Sequence, residues 1–227
     1  MKSLIASLAP VLTWDIGLFR FINSHHSRIF DAFFWGCSTF GSAWVIVPIY
    51  FAFIVIISER RRVLTVFIAS VATLITGAVL VEAIKSGVDR PRPPAYFEAA
   101  GGQATADGRA GAVVDNKSGG RGSFMVHNVG PALRSRSFPS GHSWVSFEIA
   151  TLLALFFGRR FRWVYLAAAA IAYSRIYVGV HFPLDVLGGA IGGTLLALLA
   201  WRVTAWIAPD HRLRPRDPHR RRLRRLR

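Results

Sequence analysis

Two histidines and one carboxylate lie at spacings that suit nucleophilic and acid–base chemistry. His181 is four residues before Asp185, close to the start of the last apolar run. A carboxylate bound to one imidazole nitrogen fixes the tautomer and leaves the other nitrogen free to attack. His142 follows a Pro-Ser-Gly sequence that is typical of a helix start, and it is a candidate general acid.

Three cations accompany these residues, and together they predict an anion site. An arginine offers a planar fork to phosphate oxygens and a lysine offers a point charge, so Lys85, Arg92 and Arg175 suit a dianion. Ser140 and Gly141 precede His142, where the free N–H groups and positive end of a helix also favour an anion. Taken singly, each cation is better explained as a side chain at the membrane interface. The joint pattern favours a functional site.

Composition places these residues in a membrane protein. The chain has 227 residues, of which 52% are hydrophobic and 18% are charged, with a mean hydropathy of +0.38. A soluble domain usually has about 25% charged residues. These values exclude an ordinary soluble enzyme and a disordered protein. The single cysteine, Cys37, excludes an internal disulfide and a cysteine-based zinc site.

Long apolar runs predict an all-α, polytopic transmembrane bundle. A span needs about 20 apolar residues, or somewhat fewer when its ends are polar. Five runs are expected to span: 33–57, 63–81, 143–157, 163–173 continuing towards 182, and 186–201. Residues 1–32 contain a shorter apolar run broken by polar side chains, which predicts an interfacial helix. Residues 33–207 would then form the transmembrane domain.

Basic residues predict the orientation of these spans. Arginines cluster at 59–62 and 159–162, and ten of the 28 Lys and Arg residues lie between 202 and 227. The positive-inside rule makes that side cytoplasmic and puts the loop 86–138, with the candidate site, outside. The Arg-rich tail 208–227 is interpreted as a solvated cytoplasmic end that attracts anionic lipid. A nucleic-acid partner is not expected, although an accessory role of the tail remains an alternative.

The candidate residues also form three ordered motifs. These motifs resemble the signature of the type-2 phosphatidate phosphatase superfamily, which has Lys, six residues and Arg-Pro, then Pro-Ser-Gly-His, then Ser-Arg, five residues, His, three residues and Asp. The matching residues are Lys85 and Arg92-Pro93, then Pro139 to His142, then Ser174-Arg175, His181 and Asp185.

The resemblance implies a metal-independent lipid phosphohydrolase with no cofactor. It implies that His181 is a nucleophile that becomes a phosphohistidine, that Asp185 orients it, and that His142 protonates the leaving group. The phosphate-binding residues implied by the motifs are Lys85, Arg92, Ser140, Gly141 and Arg175. The resemblance also implies a bacterial cytoplasmic membrane protein with its site on the extracytoplasmic side.

The substrate is left open among several lipid phosphates. Undecaprenyl diphosphate is favoured by the layout of the spans, and the alternatives are phosphatidylglycerol phosphate, phosphatidate and a lipid A phosphate. A protein that binds or transports anionic lipids is the non-enzymatic alternative. The oligomeric state is not predicted.

Other ionisable residues receive less specific predictions. Glu82 is expected to neutralise a buried cation such as Lys85, and Glu148 is expected to have a structural role within a span. Arg90 is a candidate second phosphate contact. The outer-side histidines have no carboxylate at useful spacing and are interpreted as surface residues: His25, His26 and His127.

Overall fold

Helices form every regular element in the described part of the chain. A computed structural model describes residues 2–58, 60–99, 124–130 and 133–207. A single-turn 3-10 helix, Arg159–Phe161, follows the sixth α-helix. The α-helices are α1 (Lys2–Asn23), α2 (Arg28–Phe40), α3 (Ala43–Ile57), α4 (Arg60–Val88), α5 (Pro93–Ala99), α6 (Gly141–Phe157), α7 (Val164–Tyr177) and α8 (Pro183–Ile207). The all-α class predicted from the sequence is confirmed.

The contact between α6 and α8 forms the centre of the bundle, and glycines make it close. A Cβ atom on Gly189 would lie 2.4 Å from the carbonyl oxygen of Ser140, and one on Gly193 would lie 2.2 Å from that of Trp144. Only a residue without a side chain fits at such distances. The two backbones therefore touch, and the start of α6 is held beside the start of α8.

Large apolar side chains cover the outside of the bundle. Trp44, Ile56, Leu166 and Trp206 are among those with more than three quarters of their surface exposed. The stretch Val63–Ala99 and helix α8 are each long and apolar enough to cross a bilayer, and α2 with α3 adds a third span if the bent pair is counted as one. An apolar surface of this extent requires lipid around it. The count of five spans stays a prediction.

The first predicted span, 33–57, is not one straight helix. It breaks at Gly41 and Ser42, and α2 and α3 meet at an angle of 61°. A Cβ atom on Gly41 would lie 2.1 Å from Cγ2 of Ile171, so α7 packs directly against the break. Glycine and serine are weak helix formers, which lets the chain turn at this point.

Helix α1 is part of the helical core rather than a separate surface element. Phe19 is fully buried, and its ring contacts the rings of Phe97, Phe124 and Phe182. This cluster joins α1, α5, the outer loop and the segment before α8. Asp15 and Asn23 in α1 are buried as well. Placement of residues 1–32 at the membrane interface stays a prediction.

The outer loop 86–138 contains one helix that the sequence analysis did not predict. Helix α5 begins at Pro93, and proline is favoured at the first position of a helix because its missing N–H would have no partner there. Most of the stretch expected to be irregular, 99–122, lies outside the described residues. The Arg-rich tail 208–227 lies outside them too.

The α6–α8 contact leads to a test of the fold. We expect Gly189→Ala to lower the unfolding temperature in detergent, because the added Cβ meets backbone and overpacking costs about 1–3 kcal/mol. Gly36→Ala is the matched control, since nothing lies within 4 Å of its Cβ position. Equal unfolding temperatures for the two variants would contradict the close contact.

Candidate active site

His181 and Asp185 form the buried pair that their spacing predicts. Asp185 lies in the first turn of α8, where its Oδ2 accepts a hydrogen bond of 2.8 Å from the backbone N–H of Phe182. The same oxygen is 3.5 Å from Nδ1 of His181, which is long for a hydrogen bond, and Nδ1 has no nearer partner in the described part of the chain. Their exposed fractions are 0% for Asp185 and 2% for His181.

A second carboxylate, Asp15 in α1, extends this pair through Arg90. Arg90 donates from Nη1 to Oδ1 of Asp185 at 2.8 Å and from Nη2 to Oδ2 of Asp15 at 2.5 Å. Asp15 is fully buried and also accepts a hydrogen bond from the backbone N–H of Leu184. Arg90 therefore holds two carboxylates and is not the extra phosphate contact that the sequence analysis considered.

Burial keeps the imidazole of His181 neutral. Loss of water, together with the positive charges of Arg92 and Arg175, lowers the pKa of His181 to about 4, although Asp185 opposes this shift. At neutral pH one ring nitrogen therefore carries a lone pair. Nε2 lies 3.3 Å from Nη1 of Arg92, on the side away from Asp185. With a proton on Nδ1, facing Asp185, Nε2 is the nucleophilic atom.

Two of the predicted cations, Arg92 and Arg175, lie close to His181 and have no ion pair with a carboxylate in the described part of the chain. Arg92 donates to the carbonyls of Ser135 and Val180, and it is 8% exposed. Arg175 is equally buried and donates to the hydroxyl of Ser38, while its Nε has no hydrogen-bond partner in the described part of the chain. Among the described residues, no carboxylate lies within ion-pair distance of either guanidinium.

Lys85 completes the positive cluster next to the start of α6. Its Nζ is 3.8 Å from the position a Cβ of Gly141 would occupy, so the small residue leaves room at the amine. Buried or half-buried cations without counter-ions are costly, and this cost is removed when an anion binds. The cluster is therefore an anion site of the size that suits one phosphate group.

The start of α6 brings the Pro-Ser-Gly-His motif to the same place. Ser140 is the N-cap: its hydroxyl accepts from the N–H of Ser143 at 3.4 Å, and its own N–H donates to the carbonyl of Asp185 at 2.9 Å. His142, in the first turn, lies close enough to Arg175 and His181 to interact with them electrostatically. The structure thus brings all eight predicted site residues together.

His142 also marks the boundary between two cavities. One, of about 260 Å³, contains Arg175, Ser38 and Val180 in its wall. The other, of about 560 Å³, is an apolar groove that runs between α3, α4 and α6. Its walls include Trp44, Val47, Phe51, Leu74, Ile75, Val81 and Val145. Ser42 and His142 line both cavities, so a cavity with a buried arginine and an apolar groove meet at these two residues.

Other ionisable residues differ from their sequence interpretations. Glu82 is largely exposed and pairs with Arg136, and its charge also acts on the nearby Lys85. Glu148 is buried at the inner end of the apolar groove, as a structural role requires. His26 and His127 are not free surface residues, because both lie against Asp31. Asp15 was missed, since a single buried Asp in an N-terminal helix has no local signal for its partner.

The comparison with known families agrees with this geometry. A family model described as the PAP2 superfamily matches residues 64–208, which include every candidate site residue. The chain belongs to the PAP2 superfamily. The three motifs in its sequence lie within the matched residues.

Relatives and solved structures show the range of this superfamily. "Putative undecaprenyl-diphosphatase YbjG" of Escherichia coli is 42% identical over 34% of this chain and 38% of that protein. "Lipid A 4'-phosphatase" of Bacteroides thetaiotaomicron is 27% identical over 86% of this chain and 81% of that protein. The crystal structure of Aquifex aeolicus LpxE is 30% identical and covers 82% of this chain and 94% of that one, with a TM-score of 0.60.

The matched part of some curated relatives is short. The chain covers 34% of the length of the Bacillus licheniformis "Bacitracin transport permease protein BcrC" and 38% of that of the Escherichia coli protein. A transmembrane PAP2-type phosphatase from Bacillus subtilis shares the fold, with a TM-score of 0.57 over 92% of this chain. With the apolar helices, this similarity identifies the chain as an integral membrane protein.

The buried neutral histidine predicts how stability depends on pH. Its pKa is about 6.5 in the unfolded chain and about 4 in the folded one, so the unfolded state binds more protons between these values. The free energy of unfolding is therefore expected to fall by about 3 kcal/mol as the pH drops from 6.5 towards 4. His181→Asn should lose this part of the dependence in thermal unfolding measured across that range. Parallel curves for the two proteins would contradict a neutral His181.

Proposed function

We propose that this protein is a lipid phosphate phosphatase that acts through a phosphohistidine. The observation that carries the proposal is the junction at His142, where a cavity of about 260 Å³ that contains Arg175 in its wall meets an apolar groove of about 560 Å³. A soluble phosphate ester needs no such groove. A lipid needs both parts, one for its phosphate and one for its hydrocarbon chain.

The reaction has two steps that the described residues support. Nε2 of His181 forms a bond to phosphorus, while the bond from phosphorus to the leaving oxygen breaks and His142 gives that oxygen a proton. The leaving oxygen belongs to the lipid alcohol in a monophosphate and to the inner phosphate in a diphosphate. A water molecule then attacks the phosphohistidine, and its proton passes to His142. Inorganic phosphate and the free His181 are restored. Asp185 holds the tautomer of His181 throughout.

Charge stabilisation in this mechanism comes from side chains. Lys85, Arg92 and Arg175 face the phosphate oxygens, and the hydroxyl of Ser140 and the N–H of Gly141 add donors at the positive end of α6. Phosphoryl transfer spreads negative charge over the three equatorial oxygens, which three cations can match. We therefore propose that the chemical step is independent of metal ions and cofactors.

We propose undecaprenyl diphosphate as the first substrate to test. Two relatives named as undecaprenyl diphosphatases, from Escherichia coli and Sulfolobus acidocaldarius, support it. A lipid A phosphate is the second candidate, because the Bacteroides thetaiotaomicron protein aligns over most of both chains. The apolar groove suits either hydrocarbon, so head-group preference decides between them.

The membrane arrangement completes the proposal. We infer five spans within residues 33–207, with the broken pair α2–α3 counted as the first, and an interfacial segment 1–32. The arginine clusters at 59–62 and 159–162, with the tail 208–227, favour a cytoplasmic side opposite the site. The site then acts at the outer face of the cytoplasmic membrane, at the level of lipid head groups.

Phosphate release from a panel of lipid phosphates tests the function. Undecaprenyl diphosphate, phosphatidylglycerol phosphate, phosphatidate and a lipid A phosphate would be offered in detergent to the wild type and to His181→Ala. We expect release by the wild type and none by the variant, because the bond to phosphorus forms at His181. A brief reaction with 32P-labelled substrate should leave acid-labile label on the wild type only.

The outcomes of the panel separate the alternatives. The lipid that is hydrolysed fastest would indicate the metabolic pathway of the protein, and the proposed mechanism would be the same for every lipid. Phosphate release by His181→Ala at the wild-type rate would overturn the nucleophile assignment. No release from any lipid, by a protein whose folding is verified by gel filtration, would favour the lipid-binding alternative.

The ion pairs that Arg90 makes with Asp185 and Asp15 give a second test of the mechanism. We expect Asp15→Asn to lower kcat by about 10- to 100-fold, the usual effect of changing a residue that orients a catalytic one. Without the Asp15 carboxylate, Arg90 would interact more strongly with Asp185 and draw it away from His181. KM should change little, since Asp15 does not face the phosphate pocket. Glu82→Gln is the matched control: it also removes an arginine-paired carboxylate, but an exposed one. Equal kcat values for both variants would contradict a positioning role for Asp15.

A further inference from the structure

A second cluster of ionisable side chains lies outside the phosphate pocket. It consists of His26 between α1 and α2, Asp31 in the first turn of α2, and His127 in the outer loop. Nδ1 of His26 is 3.3 Å from Oδ1 of Asp31, and Nε2 of His127 is 3.5 Å from Oδ2. One donor atom from each residue lies within 4.8 Å of the others.

The surrounding structure holds this cluster in place. The side-chain amide of Asn23 bonds both the N–H and the carbonyl of His127, at 2.9 and 3.0 Å, and so fixes the loop backbone. The same amide also donates to the carbonyl of Tyr177. The hydroxyl of Tyr177 in turn donates to Oδ1 of Asp31 at 2.8 Å. The three residues are therefore pre-positioned, which lowers the cost of binding a ligand.

The hydrogen bonds direct Nδ1 of His26 at a carboxylate. Nε2 of His26 is 2.5 Å from the carbonyl of Asn23, and only an N–H can bond a carbonyl. Nδ1 therefore faces Oδ1 of Asp31 at 3.3 Å, and either a proton or a metal ion between the two atoms stabilises this contact. A backbone carbonyl on the far nitrogen is also the usual support for a metal-bound histidine.

His127 is suited to the same ligand. Burial and the neighbouring His26 lower its pKa, so its ring is neutral at pH 7, as a metal ligand must be. Its Nδ1 is buried and has no hydrogen-bond partner in the described part of the chain. The two imidazole rings lie with their centroids 3.5 Å apart, and protonation of both would place two positive charges side by side.

The distances match a transition metal better than a harder cation. Zinc bonds to histidine nitrogen and carboxylate oxygen are about 2.0–2.1 Å long, which puts neighbouring tetrahedral ligands about 3.3 Å apart. The observed separations are 3.3 and 3.5 Å. Two imidazoles with one carboxylate favour zinc and related ions, whereas magnesium and calcium prefer oxygen ligands.

We propose that His26, Asp31 and His127 bind one divalent transition-metal ion of the zinc class. The ion would tie the corner between α1 and α2 to the outer loop and, through Tyr177, to the end of α7. It would take no part in the reaction, because none of its ligands belongs to the phosphate pocket. It would be a structural metal ion on the outer side of the bundle.

Cobalt binding tests the proposal directly. The full chain, purified in detergent without a histidine tag, would be stripped with EDTA, desalted and titrated with Co²⁺. We expect the visible absorption of low-symmetry cobalt to saturate at one ion per chain and to disappear on addition of Zn²⁺. His26→Gln and His127→Gln should each lose this signal. His25→Ala is the matched control, since the adjacent exposed histidine lies outside the cluster.

Thermal unfolding tests metal binding a second time, without the absorption spectrum of cobalt. Zn²⁺ should raise the unfolding temperature of the stripped wild type and of His25→Ala by several degrees, and leave that of His127→Gln unchanged. The proposal would be overturned if the wild type gave the same cobalt spectrum as His26→Gln, or if Zn²⁺ did not change its unfolding temperature. The three residues would then form only a hydrogen-bonded cluster. Neither readout depends on turnover, so failure of the phosphatase assay would not affect it.

Discussion

The hydrogen bonds made by Asp185 connect all parts of the candidate site. Its carboxylate accepts from Phe182 and Arg90, and its backbone carbonyl accepts from Ser140. These donors come from the loop before α8, the loop after α4 and the start of α6. One residue therefore fixes the relative positions of three motifs that lie up to a hundred residues apart in the chain. The backbone contact between α6 and α8 makes this arrangement possible, because glycines let the two helix starts approach.

The charges of the site divide into a group of mixed sign and a positive group. Asp185 and Asp15 share Arg90, so the first group contains two carboxylates and one guanidinium. Lys85, Arg92 and Arg175 have no such partners among the described residues. The separation matters, because a carboxylate placed among these three cations would compete with phosphate. Arg90 thus keeps the carboxylate that His181 needs from neutralising the cations that the phosphate needs.

Sequence reasoning predicted those parts of the structure that depend on local spacing. The four-residue step from His181 to Asp185 and the helix start at Ser140 are local, and the structure has both. The partnership of Asp15 with Arg90 spans 75 residues and has no periodicity to reveal it. The break at Gly41 was missed for a similar reason: hydropathy stays high across it, and the turn depends on packing against Ile171. The burial of His26 and His127 likewise depends on contacts between distant segments.

The position of His142 has a consequence for the order of events in the proposed reaction. A general acid must contact the oxygen that leaves, and this histidine lies at the mouth of the apolar groove. The lipid oxygen is then on the groove side of phosphorus, and His181 attacks from the opposite side, as in-line displacement requires. After the first step the dephosphorylated lipid lies in the groove, next to the membrane, as an alcohol from a monophosphate or as a lipid monophosphate from a diphosphate, while the phosphoryl group remains on His181. Phosphate can leave by the polar cavity that includes Lys85, Arg92, Arg134 and Arg136. The two products therefore leave in different directions, one to lipid and one to water, and neither needs to pass the other.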